Sequence, residues 1–257
     1  GDAAFEVQFI SAPSPIHPGL GPVFNSNSCF SCHINDGRGK PPAGNEQMVS
    51  MLFRMSVPGT GTHGGANPAP GFGDQLQQRA IFGSPAEADV LMLYNNVSYT
   101  FADGAPYHLQ YPTYSFVNSY IALPGGYMFS PRVAPPVFGL GLLEAIAERD
   151  IIFNAGEIDA NSDGISGKPN YVWNVEKQML TLGRFGWKCE APSLLQQSAG
   201  AYNQDMGITN FIFPNESSYG QTQYDNLEDE AEVSDSILHA VALYLRTLAV
   251  PARRNAD

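Results

Sequence analysis

The chain is short of cysteine, of basic residues and of long apolar runs, and each shortage excludes something. With three cysteines in 257 residues, Cys29 and Cys32 close together and Cys189 far along the chain, a structural zinc site is short of its four ligands. Lysine and arginine total 13 against 25 aspartates and glutamates, a formal charge of -12. That balance argues against a nucleic-acid backbone as partner and favours solubility with basic or neutral partners. No run of about 20 apolar residues is there to span a bilayer. The opening GDAAFEVQFI lacks the basic and apolar regions of an uncleaved signal peptide, so the chain reads as mature or trimmed. PGTGTHGG has no GK[ST] ending and GLGLLE no third glycine, which leaves nucleotide binding unsupported. His17, His63, His108 and His239 are scattered singly, and they suggest neither a zinc protease nor a catalytic triad.

What is present is the composition of a folded chain, 43% hydrophobic and 15% charged, long enough for one large domain or two small ones. Twenty-six glycines and 20 prolines predict ordered loops between short elements. The informative stretch is NSCFSCHINDGRG, where Cys29, Cys32 and His33 form CxxCH, the pattern of covalent haem attachment. On a helical turn, side chains at i and i+3 share a face, so both thiols can reach the vinyl groups of one porphyrin. His33 then offers an imidazole nitrogen to the iron. A thioredoxin-like dithiol, a zinc site and a plain Cys29–Cys32 disulfide are the competing uses of the pair. Haem attachment implies an oxidising extracytoplasmic compartment, most commonly a bacterial periplasm. Cys189 reads as a buried, inert thiol.

Apolar residues Val233, Ile237, Leu238, Val241, Leu245 and Leu248 recur at helical spacing and predict a long amphipathic helix over 229–250. Its acidic start, Glu228, Asp229, Glu230 and Glu232, and basic Arg246 near its end suit the helix dipole. A second helix is expected from about Gly139 to Arg149 and a third from Pro192 to about Tyr202, with Pro192 in the first turn. Ten aromatic residues between Val90 and Phe129 alternate in part, which suggests strands or extended loops packed in a core, with an aromatic wall for a cofactor as the alternative. Helices flanking a long middle predict a mainly α, cytochrome c-like fold with large loop and short β insertions. It would be one domain over 1–257, with a haem-binding segment at 20–40, an insertion at 41–228 and the C-terminal helix at 229–250.

A second candidate metal site is the loop of Asp159, Asn161, Asp163 and Gly164. It has oxygen ligands at positions 1, 3 and 5, glycine at 6 and the Ile165 carbonyl at 7, the spacing of a calcium loop. Position 12 is Asn170 in place of a bidentate Glu, so a metal-free Asx-rich turn is the alternative.

Five blocks carry a family resemblance: GLGPVFNSNSCFSCHINDGRG, GDQLQQRAIFG, SPRVAPPVFGLGLLEAI, DANSDGISGKPN and GRFGWKCEAPSLLQQSAGAYNQDMGIT. With these the chain resembles the di-haem oxidoreductases, also called thiol oxidoreductases, which are related to bacterial di-haem cytochrome c peroxidases. The resemblance implies haem c as cofactor and peroxide as the small oxidant. Such proteins continue into a second haem domain, whereas this chain ends after its long helix and so reads as an N-terminal haem domain lacking its partner. A redox partner protein or a second haem domain is therefore expected to supply electrons. The resemblance further implies Gln197 and Asp205 as peroxide-pocket residues and Trp187 as a ring on an electron path. Arg38 and Arg132 are candidates for the haem propionates, since guanidinium binds carboxylate bidentately, with simple solvent exposure as the alternative. For the sixth iron position Met48, Met51, Met55, His63, His108, Met128 and Met206 are all candidates. Three functions stay open: a peroxidase-like enzyme domain, an electron-transfer cytochrome and a domain that docks partners.

Overall fold

The computed structural model describes residues 1–44, 46, 48–224 and 231–254. The chain opens with α1 (Asp2–Glu6), β1 (Val23–Phe24) and the single-turn helix α2 (Cys29–Cys32). A β-rich stretch follows: β2 (Met51–Thr60), β3 (Ala66–Asn67), β4 (Gln75–Leu76), β5 (Arg79–Ala80), β6 (Asp89–Thr100), β7 (Pro106–Val117) and β8 (Met128–Val133). Then come α3 (Leu140–Ala145), α4 (Glu148–Ala155), β9 (Tyr171–Asn174), β10 (Met179–Leu182), α5 (Leu194–Met206) and α6 (Asp235–Thr247).

The expectation of a mainly α, cytochrome c-like fold is overturned. The chain is 22% helix and 24% strand, with the strands in several small sheets. The reason is the period-2 pattern in the middle of the chain. Met51, Phe53 and Met55 of β2 point inward while Leu52, Arg54 and Ser56 do not, and alternation of that kind favours a pleated strand over a helix. β2 pairs antiparallel with β8 from Met51↔Val133 to Ser56↔Met128, and it also pairs with β3 and β4. The inward residues join Phe72, Leu76 and Met92 in a β core, against which Tyr114 and Phe116 of β7 pack. Phe53 meets these two rings edge-on at 5.1 and 5.5 Å, the geometry that ring quadrupoles favour. The expectation of strands among the aromatics of 90–129 therefore holds, since β6 and β7 form a twelve-pair hairpin.

A second core is helical. Leu238, Val241, Ala242 and Leu245 of α6 are buried with Leu194, Leu195, Ala199, Tyr202 and Met206 of α5 and with Phe5 and Phe9 near the N-terminus. α6 lies within the expected 229–250, starting later at Asp235 with Ser234 as N-cap. Glu228, Asp229 and Glu230 fall outside the described residues. At Gly141 an added Cβ would sit 2.0 Å from the Arg246 carbonyl oxygen, so this crossing of α3 and α6 excludes any side chain there. α5 starts at Leu194, capped by the Ser193 hydroxyl, which puts Pro192 before the helix and not in its first turn. Gly207, with φ of 71°, closes the other end. The helix expected from Gly139 to Arg149 is broken: Ile146 and Ala147 are extended between α3 and α4. Arg184 supplies the cause, because its Nη1 donates to the carbonyls of Leu143, Glu144 and Ile146. It satisfies the end of α3 from 38 to 41 residues away.

Candidate functional site

The Ser28 hydroxyl caps α2 by accepting from Ser31 N at 3.1 Å, and this one turn sets Cys29 and Cys32 three positions apart on one face. Both thiols are free. Burial, reinforced by the charge of Asp205, pushes Cys29 up to about 12 and Cys32 up to about 11. A redox-active dithiol needs the opposite shift, so the burial of this pair disfavours the thioredoxin-like use.

His33 follows the turn, and its Nδ1 lies 2.7 Å from the carbonyl oxygen of Pro135. A carbonyl only accepts, so Nδ1 carries the proton and Nε2 keeps its lone pair, the tautomer that a metal-ligating histidine needs. Burial holds the imidazole below its ordinary pKa despite that bond, which keeps it neutral and able to ligate.

Residues 132–135, at the end of β8 and just beyond it, gather most of the other candidates. The Ala134 carbonyl accepts from Gly39 N at 2.9 Å, and Ala134 N donates to Ser50 O at 2.9 Å. The Val133 carbonyl accepts from Trp187 Nε1 at 2.9 Å, and the guanidinium of Arg38 lies 5.5 Å from the centre of that indole ring. Arg132 pairs with Glu190 through both carboxylate oxygens, at 2.5 and 3.2 Å, leaving its buried Nε without a partner. Burial raises the Glu190 carboxyl, but the hydrogen bond and charge of Arg132 outweigh it and hold the group below its usual range. Arg38 and Trp187 thus stand beside the attachment loop, whereas the fork of Arg132 is already occupied by a carboxylate of this chain.

Asp205 lies at the far end of α5, near enough to Cys29 and Cys32 for its charge to raise both thiols. Its Oδ1 accepts from Gln75 Nε2 at 2.7 Å, and its backbone carbonyl accepts from Asn25 N and Ser26 N at 2.8 and 3.0 Å. Arg54 Nη1 donates to Gln204 Oε1, and Gln77 Nε2 donates to the Gln204 carbonyl at 2.7 Å. This polar seam ties the attachment segment, α5 and the β core together. Burial pushes the Asp205 carboxyl up to about 6, against the Gln75 hydrogen bond and the Arg54 charge. Gln197 sits eight positions earlier on the same helix, about 12 Å back along its axis, and its Oε1 lies against Gly186. α5 therefore does not bring Gln197 and Asp205 together.

Sequence reasoning missed Gln75, Arg54, Gln204 and Arg79. Arg79 has a buried Nη2 with no partner, and its charge works weakly against the burial that raises the Cys32 thiol. For Gln75 and Arg79 the signal was the polar density of GDQLQQRAIFG, too many amides and charges for a plain turn; Arg54 and Gln204 lie outside that segment. Cys189, read as buried, is exposed. Of the candidates for the sixth iron position, Met48, Met51, Met55 and Met206 are buried in the two cores. His63 is stacked on Trp173 at 3.6 Å, His108 is bonded to Ser98 on the hairpin, and Met128 is exposed.

In the second loop Asp159 accepts from Asp163 N and Gly164 N at 3.1 and 2.9 Å, and Asp163 accepts from Ile165 N at 2.8 Å. Asn161 Nδ2 donates to Asp163 Oδ2 at 2.8 Å. Asn170 turns away, donating to the carbonyls of Lys188 and Cys189. Among the described residues no group of three or more His, Cys, Asp or Glu side chains comes together to hold a metal. Also among them, no helix is long and apolar enough to cross a membrane.

Comparison with curated proteins and with solved structures gives no match to this chain. Comparison with protein families does: the family described as "Di-haem oxidoreductase, putative peroxidase" matches residues 1–257, and the chain belongs to it.

Proposed function

We propose that this chain is a c-type haem domain with peroxidase-like activity, its one haem bonded through Cys29 and Cys32, ligated by His33 and kept in a periplasmic or otherwise extracytoplasmic compartment. The observation that carries this reading is the His33 Nδ1 contact with Pro135 O at 2.7 Å. It fixes a neutral imidazole, Nε2 unprotonated, directly after two thiols on one helical turn. A haem held by Cys29, Cys32 and His33 would supply a redox-active iron and the two electrons that cleavage of the peroxide O–O bond takes up. Asp205 would take a proton from one peroxide oxygen and return it to the other, which would leave as water once the O–O bond is reduced. Gln75 orients the carboxylate through its 2.7 Å bond. Electrons for repeated turnover come from a redox partner protein or a second haem domain.

The test is the spectrum of the reduced, haem-loaded chain with and without carbon monoxide. Rapid formation of a carbonyl complex is the expected result, because peroxide chemistry needs an accessible iron. Failure to bind carbon monoxide means firm ligation on both faces and favours simple electron transfer.

We infer calcium as the structural ion of the loop from Asp159 to Ile165. Each carboxylate oxygen named above accepts one hydrogen bond, which leaves lone pairs for a cation, and the Asn161 and Ile165 carbonyls can complete the set. Chelation is expected to lower the melting temperature and added calcium to restore it, since a ligand that binds only the folded chain stabilises it. An unchanged melting curve, with no calcium by elemental analysis, rejects the assignment.

A further inference from the structure

The hairpin of β6 and β7 has two unlike faces. At its base Val90, Met92, Tyr94, Tyr114 and Phe116 turn onto the β core. The opposite face carries Leu91, Leu93, Val97 and Tyr99 of β6 with Leu109 and Tyr111 of β7. Pairs such as Asn95↔Tyr111 and Val97↔Leu109 set these residues side by side, and all six are between 36% and 65% exposed. Two tyrosines and four aliphatic residues, about half exposed, amount to roughly 600 Å² of contiguous surface, at the top of what a monomer usually shows.

The charge of the hairpin is as unusual as its apolarity. Residues 89–117 contain no Lys, Arg or Glu, and Asp89 and Asp103 are their only carboxylates, in a chain of charge -12. Asp89 accepts from Asn118 and Asp103 from Ala105 N. Asp89 shares the outer face with Leu91 but sits at its end, held by Asn118. A strongly charged partner would therefore find nothing to pair with among the six apolar residues, and burying its charge there would be costly.

We propose that this outer hairpin face is the contact between two copies of the chain, packed face to face about a twofold axis. A second copy is the occupant that the surface fits. It presents the same neutral, apolar residues, as an isologous contact requires, and it covers the patch without desolvating a carboxylate. Roughly 600 Å² from six side chains, with the backbone and the Asn95, Thr113 and Ser115 side chains between them, approaches the about 800 Å² per partner of a standard stable interface.

Sedimentation equilibrium of the full chain tests the proposal. The wild type is expected to be dimeric by about 100 µM, with dimerisation strengthened by salt, which screens the repulsion between two acidic bodies. Leu93→Glu with Tyr111→Glu puts four carboxylates into the contact and should weaken dimerisation at least a hundredfold. Both side chains are exposed, and circular dichroism checks that the fold is kept. Leu142→Glu with Phe153→Glu, at the exposed surface of α3 and α4, should leave the dimer intact. A monomeric wild type overturns the proposal. So does a dimer that survives the hairpin pair or is broken by the α3–α4 pair, and so does a monomer that cosediments with neutral phosphatidylcholine vesicles through the hairpin.

Discussion

Replacing Cys29 and Cys32 together by alanine is expected to abolish covalently held haem, while the wild type keeps its haem through acid-organic extraction. The effect is all or none because a thioether survives such extraction and axial ligation does not. The raised thiols, about 12 for Cys29 and about 11 for Cys32, make the outcome discriminating. A pair so fully protonated at neutral pH is a poor disulfide-exchange centre, so the cysteines have little chemistry to lose except attachment. Single Cys29→Ala and Cys32→Ala variants should each keep haem by one thioether, with the reduced absorption bands shifted to longer wavelength by the remaining vinyl group. If the wild type yields all its haem to the solvent, the covalent assignment is wrong.

Replacing Asp205 is expected to slow the reaction of the reduced chain with peroxide by at least tenfold, and typical losses for an acid-base group are about 10²–10⁴-fold. Stopped-flow haem absorbance reads the rate. Because burial pushes this carboxyl up to about 6, the wild-type rate should rise with pH through about 6 and level off as the proton-accepting form fills. Asp205→Asn should be slow and flat over the same range. A stability measurement separates chemistry from folding. A carboxyl whose folded pKa lies above its ordinary 3.8 contributes stability that is fully present below about 3.8 and is lost as pH rises through about 6. Asn keeps the acceptor for Gln75 and cannot ionise, so Asp205→Asn should melt higher than wild type at pH 7 and lose that advantage by pH 4. A variant that reacts with peroxide at the wild-type rate removes Asp205 from the mechanism. One that is slow only because it melts earlier makes the residue structural.

Local signals made the site's nucleus legible in the sequence, and remote partners were invisible. CxxCH needs one helical turn, and Ser28 caps that turn, so spacing alone located Cys29, Cys32 and His33. α6 followed from its apolar periodicity and α5 from Pro192, each with its ends displaced by a few residues. The Pro135 carbonyl that orients His33 is 102 residues away, and Gln75 lies 130 residues from Asp205, distances over which no pattern in one sequence carries information. The strand content was underestimated because the two end helices and the family resemblance suggested a helical frame, although Met51, Phe53 and Met55 already alternated. The break after α3 was illegible for a similar reason: no glycine or proline marks Ile146 and Ala147, and it is Arg184 that ends the helix. Gln197 and Asp205 illustrate the converse: the family resemblance paired them, and eight positions along α5 separate them.

The link between His33 and Pro135 has a consequence for the order of assembly. α2 closes through contacts three or four residues long, which form on the fastest folding timescales. The lock on the imidazole must wait for β8 to dock along β2, a pairing that closes a long loop and is slow for that reason. Attachment through the two thiols needs only the early event, while correct axial geometry needs the late one. A lesion in the β core should therefore yield a chain that captures its porphyrin normally and then matures into a heterogeneous, spectrally mixed population.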